Sequence, residues 1–313
     1  MSSERIPKIS VIIPTFNAAQ YLPAAIESVL GQDYKNLEIV VVDDGSSDDT
    51  PAVIARYGKF VEYIRLENNG GGPARPRNIG IRAASGDYIA LFDSDDLMLP
   101  GKLNEQAEFL SEFKDIPLVF TNFRNFSRDD EPALPDFLSD HTDFQAMPKI
   151  PLKKNWYRLT SSLAYETLIP DTYIGTSGVL FRKKLVDEVG YFDESIGNSD
   201  DVEFFFRVSR RFDLGYVNQV FHRRRLHAKN ISSRPKALVA RLSVYSRQIP
   251  VTKSAKARRD LGIILSKILF SIGYLERRRG ERSKALRYYL RSWSHYKTNL
   301  RIWVSVLRLL WAK

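Results

Sequence analysis

The chain has 313 residues, a length that suits one large folded domain plus a smaller one. Its 43% hydrophobic and 27% charged residues exclude wholesale disorder. The absence of cysteine excludes disulfides and thiolate–metal sites. It has no run of about 18 uncharged apolar residues and no apolar core of a signal peptide, so we expect a cytoplasmic protein. The formal net charge of +10 divides unevenly, because residues 1–233 hold 27 Lys and Arg against 34 Asp and Glu (−7), whereas residues 234–313 hold 20 against 3 (+17).

Four short segments in the first part of the chain predict strands, of which those at residues 9–13 and 38–42 are predicted to be buried, and amphipathic segments between them predict helices. The strands fall at residues 9–13, 38–42, 61–66 and 88–92, and the helices at residues 18–30, at residues 50–57 and through Ile79 and Ala83. Strands that alternate with helices indicate βαβ units. We therefore expect an α/β fold with a Rossmann-like, mostly parallel sheet flanked by helices.

Polar clusters follow three of these strands directly. They lie at residues 15–17, 43–47 and 93–96. Ligands of parallel α/β sheets bind outside the carboxyl ends of the strands. The three clusters therefore predict one site at this edge of the sheet.

The pattern weakens in the middle of the chain. A helix is predicted near residues 102–113 and a strand at residues 118–122, but residues 124–170 lack sustained periodicity. We expect a long loop or a partly helical insertion there, which in a compact domain tends to be functional. Order returns at residues 176–182, and residues 199–211 predict an amphipathic helix.

The last part of the chain, residues 234–313, predicts a basic helical appendage. Apolar residues from Leu261 to Leu275 recur at helical spacing, Gly280 ends that helix, and two more helices follow. The stretch GYLERRRGERSKALRYYLRSW loosely resembles a tetratricopeptide-type helix pair, in which the apolar stripe would be core. Basic amphipathic helices also suit an anionic membrane surface, so we expect a folded subdomain that docks reversibly on the inner membrane leaflet.

Several ordered motifs of residues 8–233 together resemble family 2 glycosyltransferases, which have the GT-A fold. They are ISVIIPTFN, EIVVVDDGSSDDT, ARPRNIGIRAASGDYIALFDSDD, GYFDESIGNSDDVEFFFRV and RRRLHAKNISS. The resemblance implies a catalytic domain at residues 1–233. This domain would move a hexosyl or N-acetylhexosaminyl group from a nucleotide diphosphate, usually UDP, to an acceptor hydroxyl. The anomeric configuration of the sugar would be inverted in the transfer. The acceptor would be a saccharide, a lipid-linked molecule or a protein, in the synthesis of cell-surface polysaccharide or glycoconjugate.

The DSDD turn suits a divalent cation. A departing nucleotide diphosphate carries extra negative charge, and Mn²⁺ or Mg²⁺ held by hard oxygen ligands offsets it. Asp93, Asp95 and Asp96 are the candidate ligands, with Asp95 first among them, and the resemblance adds an imidazole from His227. Asp93 and Ser94 of the same turn also belong to the expected donor-binding set.

The nucleotide pocket follows from the same resemblance. Asp44 matches the acid that accepts a hydrogen bond from the base, and an Asx turn or helix cap is the alternative for it and for Asp43. Arg77 matches an arginine near the diphosphate or uridine, where its planar fork suits phosphate oxygens, although Arg75 competes for this role. The predicted donor-binding residues are Pro14, Thr15, Phe16, Asp43, Asp44, Arg77, Asp93 and Ser94.

Asp201 is the predicted catalytic base. In the family an acidic pair precedes an aromatic-rich helix, and here the pair is Asp200 and Asp201. An acceptor hydroxyl needs a positioned carboxylate to take its proton as it attacks. The alternative is structural, with Ser199 or Asp200 capping the helix and Glu203 completing a capping box.

Other functions stay open at this point. A nucleotidyltransferase would also use a nucleotide and a metal, but the loop after its first strand is usually rich in Gly and Lys, whereas here it reads PTFNAAQ. A non-catalytic binding or scaffold protein of the same fold is the main alternative. Nucleic-acid binding by the basic segment is not expected, because no nucleic-acid module accompanies it. The QxxRW motif of processive synthases is absent, which favours the addition of one or a few sugars.

Overall fold

The structure, a computed structural model, describes residues 5–127, 135–227, 235–297 and 300–311. The chain forms two compact units. The first comprises residues 1–165 and 173–227, and the second comprises residues 166–172 and 228–313.

The described residues of the first unit contain a ten-stranded sheet with the order β3-β2-β1-β4-β9-β6-β10-β8-β7, and β5 pairs with β10. Neighbours β3, β2, β1 and β4 are all parallel, as are β6 and β10, whereas β9 runs antiparallel to both β4 and β6. The strands are β1 (Ile9–Thr15), β2 (Leu37–Asp43), β3 (Glu62–Arg65), β4 (Tyr88–Leu91), β5 (Leu97–Met98), β6 (Leu118–Phe126), β7 (Ile150–Lys153), β8 (Trp156–Leu159), β9 (Val179–Arg182) and β10 (Leu214–Arg225).

Eight helices precede or connect these strands, and the predicted α/β fold is confirmed. They are α1 (Leu22–Leu30), α2 (Thr50–Ala55), α3 (Ala74–Ala83), α4 (Lys102–Glu112), α5 (Thr142–Ala146), α6 (Ser161–Leu168), α7 (Leu185–Val189) and α8 (Asp200–Ser209).

Helix α3 approaches β1 closely enough to require a glycine. A Cβ atom at Gly80 would lie 2.5 Å from the side chain of Ile12 and 3.2 Å from that of Val42. Every residue of β1 is buried, so this face of the sheet is closed by the helix. The close packing fixes the N-terminal half of α3, which carries Arg77, at the carboxyl edge of the sheet.

The expectation of a loop or partly helical insertion at residues 124–170 is confirmed in part, because α5, α6 and a 3₁₀ turn at residues 137–140 lie there, but the stretch also contains strands that were not predicted. Strand β6 continues to Phe126, and the antiparallel hairpin of β7 and β8 adds two strands at the end of the sheet. The strands of this hairpin have four residues each, which is too few for a clear alternation of apolar and polar side chains. Residues 128–134 of the stretch lie outside the described residues.

The second unit contains the predicted C-terminal helices. Two of these helices, α10 and α11, form a hairpin and pack closely through small residues. Ser266 and Ser292 hydrogen-bond to each other across the hairpin, and a Cβ atom at Gly273 would lie 2.8 Å from the ring of Tyr289. The apolar stripe predicted for the first of these helices is buried at Leu261, Leu265, Ile268, Leu269 and Ile272. The helices are α9 (Pro235–Ser246), α10 (Ala255–Arg278), α11 (Arg282–His295) and α12 (Leu300–Trp311).

No helix in the part of the chain that the structure describes is both long and apolar enough to cross a membrane.

Candidate active site at the carboxyl edge of the sheet

The three polar clusters that follow β1, β2 and β4 lie at one edge of the sheet, as predicted. The backbone N–H of Asp44 donates to the carbonyl oxygen of Thr15 at 2.8 Å, and that of Phe92 donates to Ile12 at 3.0 Å. Parallel pairing therefore brings the loops after these strands side by side.

Asp44, a residue of the predicted donor-binding set, directly follows β2. Its side chain is 3% exposed; Oδ2 accepts a hydrogen bond from the N–H of Gly70 at 2.9 Å, whereas Oδ1 is buried and has no hydrogen-bond partner among the described residues. Burial raises the pKa of this carboxyl group, although the Gly70 bond and nearby Arg75 act against the rise. A buried acceptor without a donor is costly, and a ligand N–H would satisfy it.

The surroundings of Asp44 fit a flat ring. Phe16 is 46% exposed after β1, and the preceding Pro14 and Thr15 are buried. A Cβ atom at residue 70 would lie 3.5 Å from Asp44 Oδ1, so a side chain at this position would crowd that oxygen further. An exposed aromatic ring in the loop next to an acceptor without a partner among the described residues suits a nucleobase.

Asp43 makes a different set of contacts from its neighbour. Oδ1 accepts from the N–H of Ser46 at 2.8 Å and Oδ2 accepts from the hydroxyl of Tyr63 at 2.9 Å, while the Arg65 guanidinium lies 4.0 Å away. The side chain is fully buried. These bonds hold the loop between β2 and α2 in the turn that was the alternative for this residue, and a donor contact from Asp43 stays a prediction.

The guanidinium of Arg77 hydrogen-bonds to two carboxylates. Nη1 donates to Asp200 Oδ2 at 2.8 Å and Nη2 donates to Asp93 Oδ1 at 2.9 Å. Burial raises the pKa of Asp200 to about 6, and the Arg77 charge acts against that rise. Nε of Arg77 is buried and has no partner among the described residues. The guanidinium therefore fixes the end of β4 relative to the start of α8, and its contact with phosphate stays a prediction.

The DSDD turn is anchored through its last carboxylate. Asp96 Oδ2 accepts from the Ser177 hydroxyl at 2.6 Å, and Oδ1 accepts from the N–H of Arg225 at 3.0 Å. Burial raises the pKa of Asp96 well above its usual value, and the charges of Asp95 and Asp93 raise it further. Carboxylates crowded in this way gain stability from a bound cation.

Asp95 and His227 are brought together from residues far apart in sequence. His227 Nε2 lies 2.8 Å from Asp95 Oδ2, and the imidazole stacks on the ring of Tyr21 at 4.8 Å. Among the described residues no three acidic or histidine side chains are grouped to hold a metal by themselves. Mg²⁺ and similar ions often use one or two protein ligands plus substrate phosphates and water, so Asp95 and His227 fit such an ion. Asp93 and Ser94 are half-buried in the same turn.

Asp201, the predicted base, lies in the first turn of α8. Oδ2 accepts from the Thr176 hydroxyl at 2.7 Å, and Oδ1 accepts from the N–H of Val202 at 2.8 Å. The alternative capping box does not form, because Ser199 makes no side-chain cap bond and Glu203 pairs with Arg207 at 2.8 Å.

The sequence analysis missed Thr176 and Ser177, which contact the site from the turn before β9. Besides its bond to Asp96, Ser177 Oγ accepts from the backbone N–H of Asp93 at 3.0 Å. Only their position directly before an apolar strand pointed to them, because small hydroxyl residues are common in loops.

The model of the family described as "Glycosyl transferase family 2" matches residues 10–190. An uncharacterized glycosyltransferase of Rickettsia prowazekii is 30% identical over 224 residues, which covers 71% of this chain and 65% of that relative, so the chain spans less than two thirds of that relative's length.

Solved structures share the fold at low sequence identity. S. aureus TarS 1-349 in complex with UDP-GlcNAc has a TM-score of 0.61 and 20% identity, over 94% of this chain and 82% of that one. The mannosyltransferase PcManGT from Pyrobaculum calidifontis, in complex with GDP-Man and Mn²⁺, has a TM-score of 0.59 and 16% identity, over 98% of this chain and 88% of that one. These neighbours have the GT-A fold, as the sequence predicted for this chain.

Proposed function

Since this chain belongs to glycosyl transferase family 2, we propose that it is a divalent-metal-dependent, inverting glycosyltransferase that moves a sugar from UDP to an acceptor hydroxyl. The observation that carries the donor assignment is the buried Oδ1 of Asp44, which has no partner among the described residues, in the loop next to the one that presents the exposed ring of Phe16. Uracil offers an N–H donor at the edge of a flat ring and thus fits both groups. The complex of TarS with UDP-GlcNAc supports a donor of this class.

The proposed metal is Mn²⁺ or Mg²⁺, held by Asp95 with Asp93 and His227 beside it. The Asp95–His227 contact and the anchoring of the turn by Asp96 support this assignment, as does the Mn²⁺ in the PcManGT complex. When bound, the ion offsets the negative charge that builds on the leaving diphosphate. Arg77 would act indirectly, by holding Asp93.

Asp201 is the proposed catalytic base, which takes the proton of the acceptor hydroxyl. The paired contacts of its carboxylate with Thr176 and Val202 hold it at the start of α8. Whether the sugar is a hexosyl or an N-acetylhexosaminyl group depends on pocket shape, and the acceptor classes proposed are a saccharide, a lipid-linked molecule or a protein.

The experiment that tests this function is a screen of nucleotide-sugar donors with release of free nucleotide as the readout. We expect a UDP-sugar to be turned over only with Mn²⁺ or Mg²⁺, and we expect Asp95→Ala to abolish turnover. The matched control is Asp49→Asn, which removes a negative charge from an exposed residue a few positions after Asp44. Full turnover in excess chelator would overturn the metal assignment.

A non-catalytic nucleotide-sugar-binding protein is the second candidate. It is disfavoured because Asp44, Asp93, Asp95 and Asp201 are all present. The last three each make a hydrogen bond to another side chain at the same edge of the sheet. Binding of UDP without release of nucleotide from any donor and acceptor pair would favour it.

We also propose that the basic second unit binds an anionic membrane surface from the cytoplasmic side. Exposed apolar residues of α11 and α12 and the exposed basic residues beside them support this role. They are Leu290, Trp303, Val304 and Leu307, with Arg287, Arg291 and Lys297.

A further inference from the structure

The short turn Thr176–Gly178, directly before β9, carries two consecutive hydroxyl groups that contact different parts of the proposed site. Neither residue belongs to the predicted site. Both are buried, at 8% exposure for Thr176 and 1% for Ser177. Buried hydroxyls form hydrogen bonds, and the partners they choose show what they hold in place.

Thr176 contacts the proposed base. Its hydroxyl donates to Asp201 Oδ2 at 2.7 Å, while the backbone of Val202 donates to Oδ1. The two donors approach different oxygens and so fix the plane of the carboxylate. Asp200, Arg77 and Asp93 are the charged groups near enough to act on Asp201 electrostatically, and none of them donates a hydrogen bond to it among the described residues.

Ser177 contacts the metal-binding turn at both ends. Its oxygen accepts from the N–H of Asp93 at 3.0 Å, and its hydroxyl donates to Asp96 Oδ2 at 2.6 Å. One side chain thus bridges the first and last residues of DSDD. This bridge supports the position of Asp95, which lies between them.

The turn itself is fixed by the sheet beneath it. Gln106 Nε2 donates to the carbonyl oxygen of Gly178 at 2.8 Å. A Cβ atom at Gly178 would lie 3.1 Å from both the His222 ring and the carbonyl oxygen of Thr121. The close packing leaves the two hydroxyls little freedom to move apart.

We propose that Thr176 and Ser177 are positioning residues that set the distance between the base and the metal-binding turn, with Thr176 orienting Asp201 and Ser177 holding Asp93 and Asp96. The inference rests on the proposed function, because it takes Asp201 as the base and DSDD as the metal-binding turn. A positioned base is productive only within a narrow range of geometry, so loss of one orienting bond reduces the rate of transfer more than the binding of donor.

The test compares Thr176→Val, Thr176→Ser and Ser177→Ala in the full chain. Thr176→Val removes the hydroxyl at similar volume, and we expect kcat for transfer to fall by about 10- to 100-fold with KM for the donor and calorimetric affinity for UDP with Mn²⁺ unchanged. Thr176→Ser keeps the hydroxyl and should restore most of kcat. Ser177→Ala should show the opposite profile, with Mn²⁺-dependent UDP affinity reduced by roughly tenfold.

Thermal unfolding of each variant separates positioning from folding, since rates are compared per folded molecule. Equal losses in Thr176→Val and Thr176→Ser, or the same loss of UDP affinity in Thr176→Val and Ser177→Ala, would overturn the inference. Failure of the proposed function gives a different result, because the unmodified chain would then release no nucleotide from any donor. Failure of the base assignment alone would leave Asp201→Asn as active as the unmodified chain.

Discussion

The side chain of Asp44 carries the nucleotide assignment, because half of its carboxylate is satisfied by Gly70 and the other half is not. Asp44→Asn keeps the size of the side chain and an oxygen for the Gly70 N–H, but places an NH₂ group where the uracil N–H would donate. We expect UDP affinity, measured by calorimetry, to fall by about 10- to 100-fold.

Asp49→Asn is the control for this prediction, since it removes the same charge from an exposed position nearby. The affinity for UDP should stay within error in the control. Unchanged affinity in Asp44→Asn would mean that the base binds elsewhere.

Asp201→Asn distinguishes a base from a structural residue. The amide keeps one oxygen that can accept from the Val202 N–H, and its NH₂ group can donate to the Thr176 oxygen, but it cannot take a proton at neutral pH. Transfer should fall by a factor on the order of 10²–10⁴, while UDP affinity and the unfolding temperature barely change. A variant that unfolds early but keeps its turnover per folded molecule would indicate a structural role.

Individual roles were harder to predict from the sequence than the location of the site. The adjacent Asp43 and Asp44 look alike in sequence, yet only Asp43 has both oxygens occupied, because the Tyr63 hydroxyl from the next strand adds to the local N–H of Ser46. The position of Arg77 between two carboxylates likewise depends on α8, which lies 123 residues away in sequence at Asp200. Local patterns carry no information on such pairings.

At the scale of elements, the first four strands were predictable and several later ones were not. Strands β1, β2, β3 and β4 matched the predicted segments to within a few residues. Strand β10 was not predicted, because its second half, VFHRRR, places buried His222 among arginines. Its residues are held by strands on both sides, so tertiary pairing overrides the local composition.

Helix α4 begins with a buried lysine, and the effect of this lysine on the free energy of unfolding depends on pH. Lys102 is fully buried, its Nζ has no hydrogen-bond partner within the described residues, and burial lowers its pKa from 10.5 to about 7. Between these two values the unfolded chain binds more protons than the folded chain, so stability rises with pH across that window.

Lys102→Met keeps the apolar stem and removes the ammonium group. We expect it to stabilise the fold at pH 7 by on the order of a few kcal/mol and to lose most of that advantage by about pH 10. Urea unfolding at both pH values measures the difference. Lys114→Met, at an exposed site just after the same helix, controls for net charge. An advantage that is absent, or equal at both pH values, would contradict the burial argument.

For the whole molecule, the uneven distribution of charge separates two kinds of partner. The residues of the proposed donor site lie in the part of the chain with net charge −7. A divalent cation bound there would offset the repulsion between the acidic side chains and the diphosphate. Residues 234–313 carry +17. Such a surface attracts polyanions at long range, and screening by salt weakens that attraction.

The structure adds an apolar component to this charge. On α12, Ile302 and Val306 are buried, whereas Trp303, Val304 and Leu307 share the opposite face and are 42%, 48% and 54% exposed. Exposed apolar residues beside basic ones fit the headgroup region of an anionic bilayer better than they fit a nucleic acid, which would favour charge without an apolar face.

The last prediction is that the full chain sediments with anionic vesicles and not with neutral ones. Each basic residue near the headgroups adds about 1 kcal/mol at low ionic strength, so binding should fall steeply as salt is raised. Trp303→Ser with Leu307→Ser should weaken the binding that remains at high salt, whereas Val239→Ser, at a site 57% exposed on α9, should not. Binding that ignores both lipid charge and salt, or that is equally weakened by the α9 substitution, would show that this face is not the docking surface.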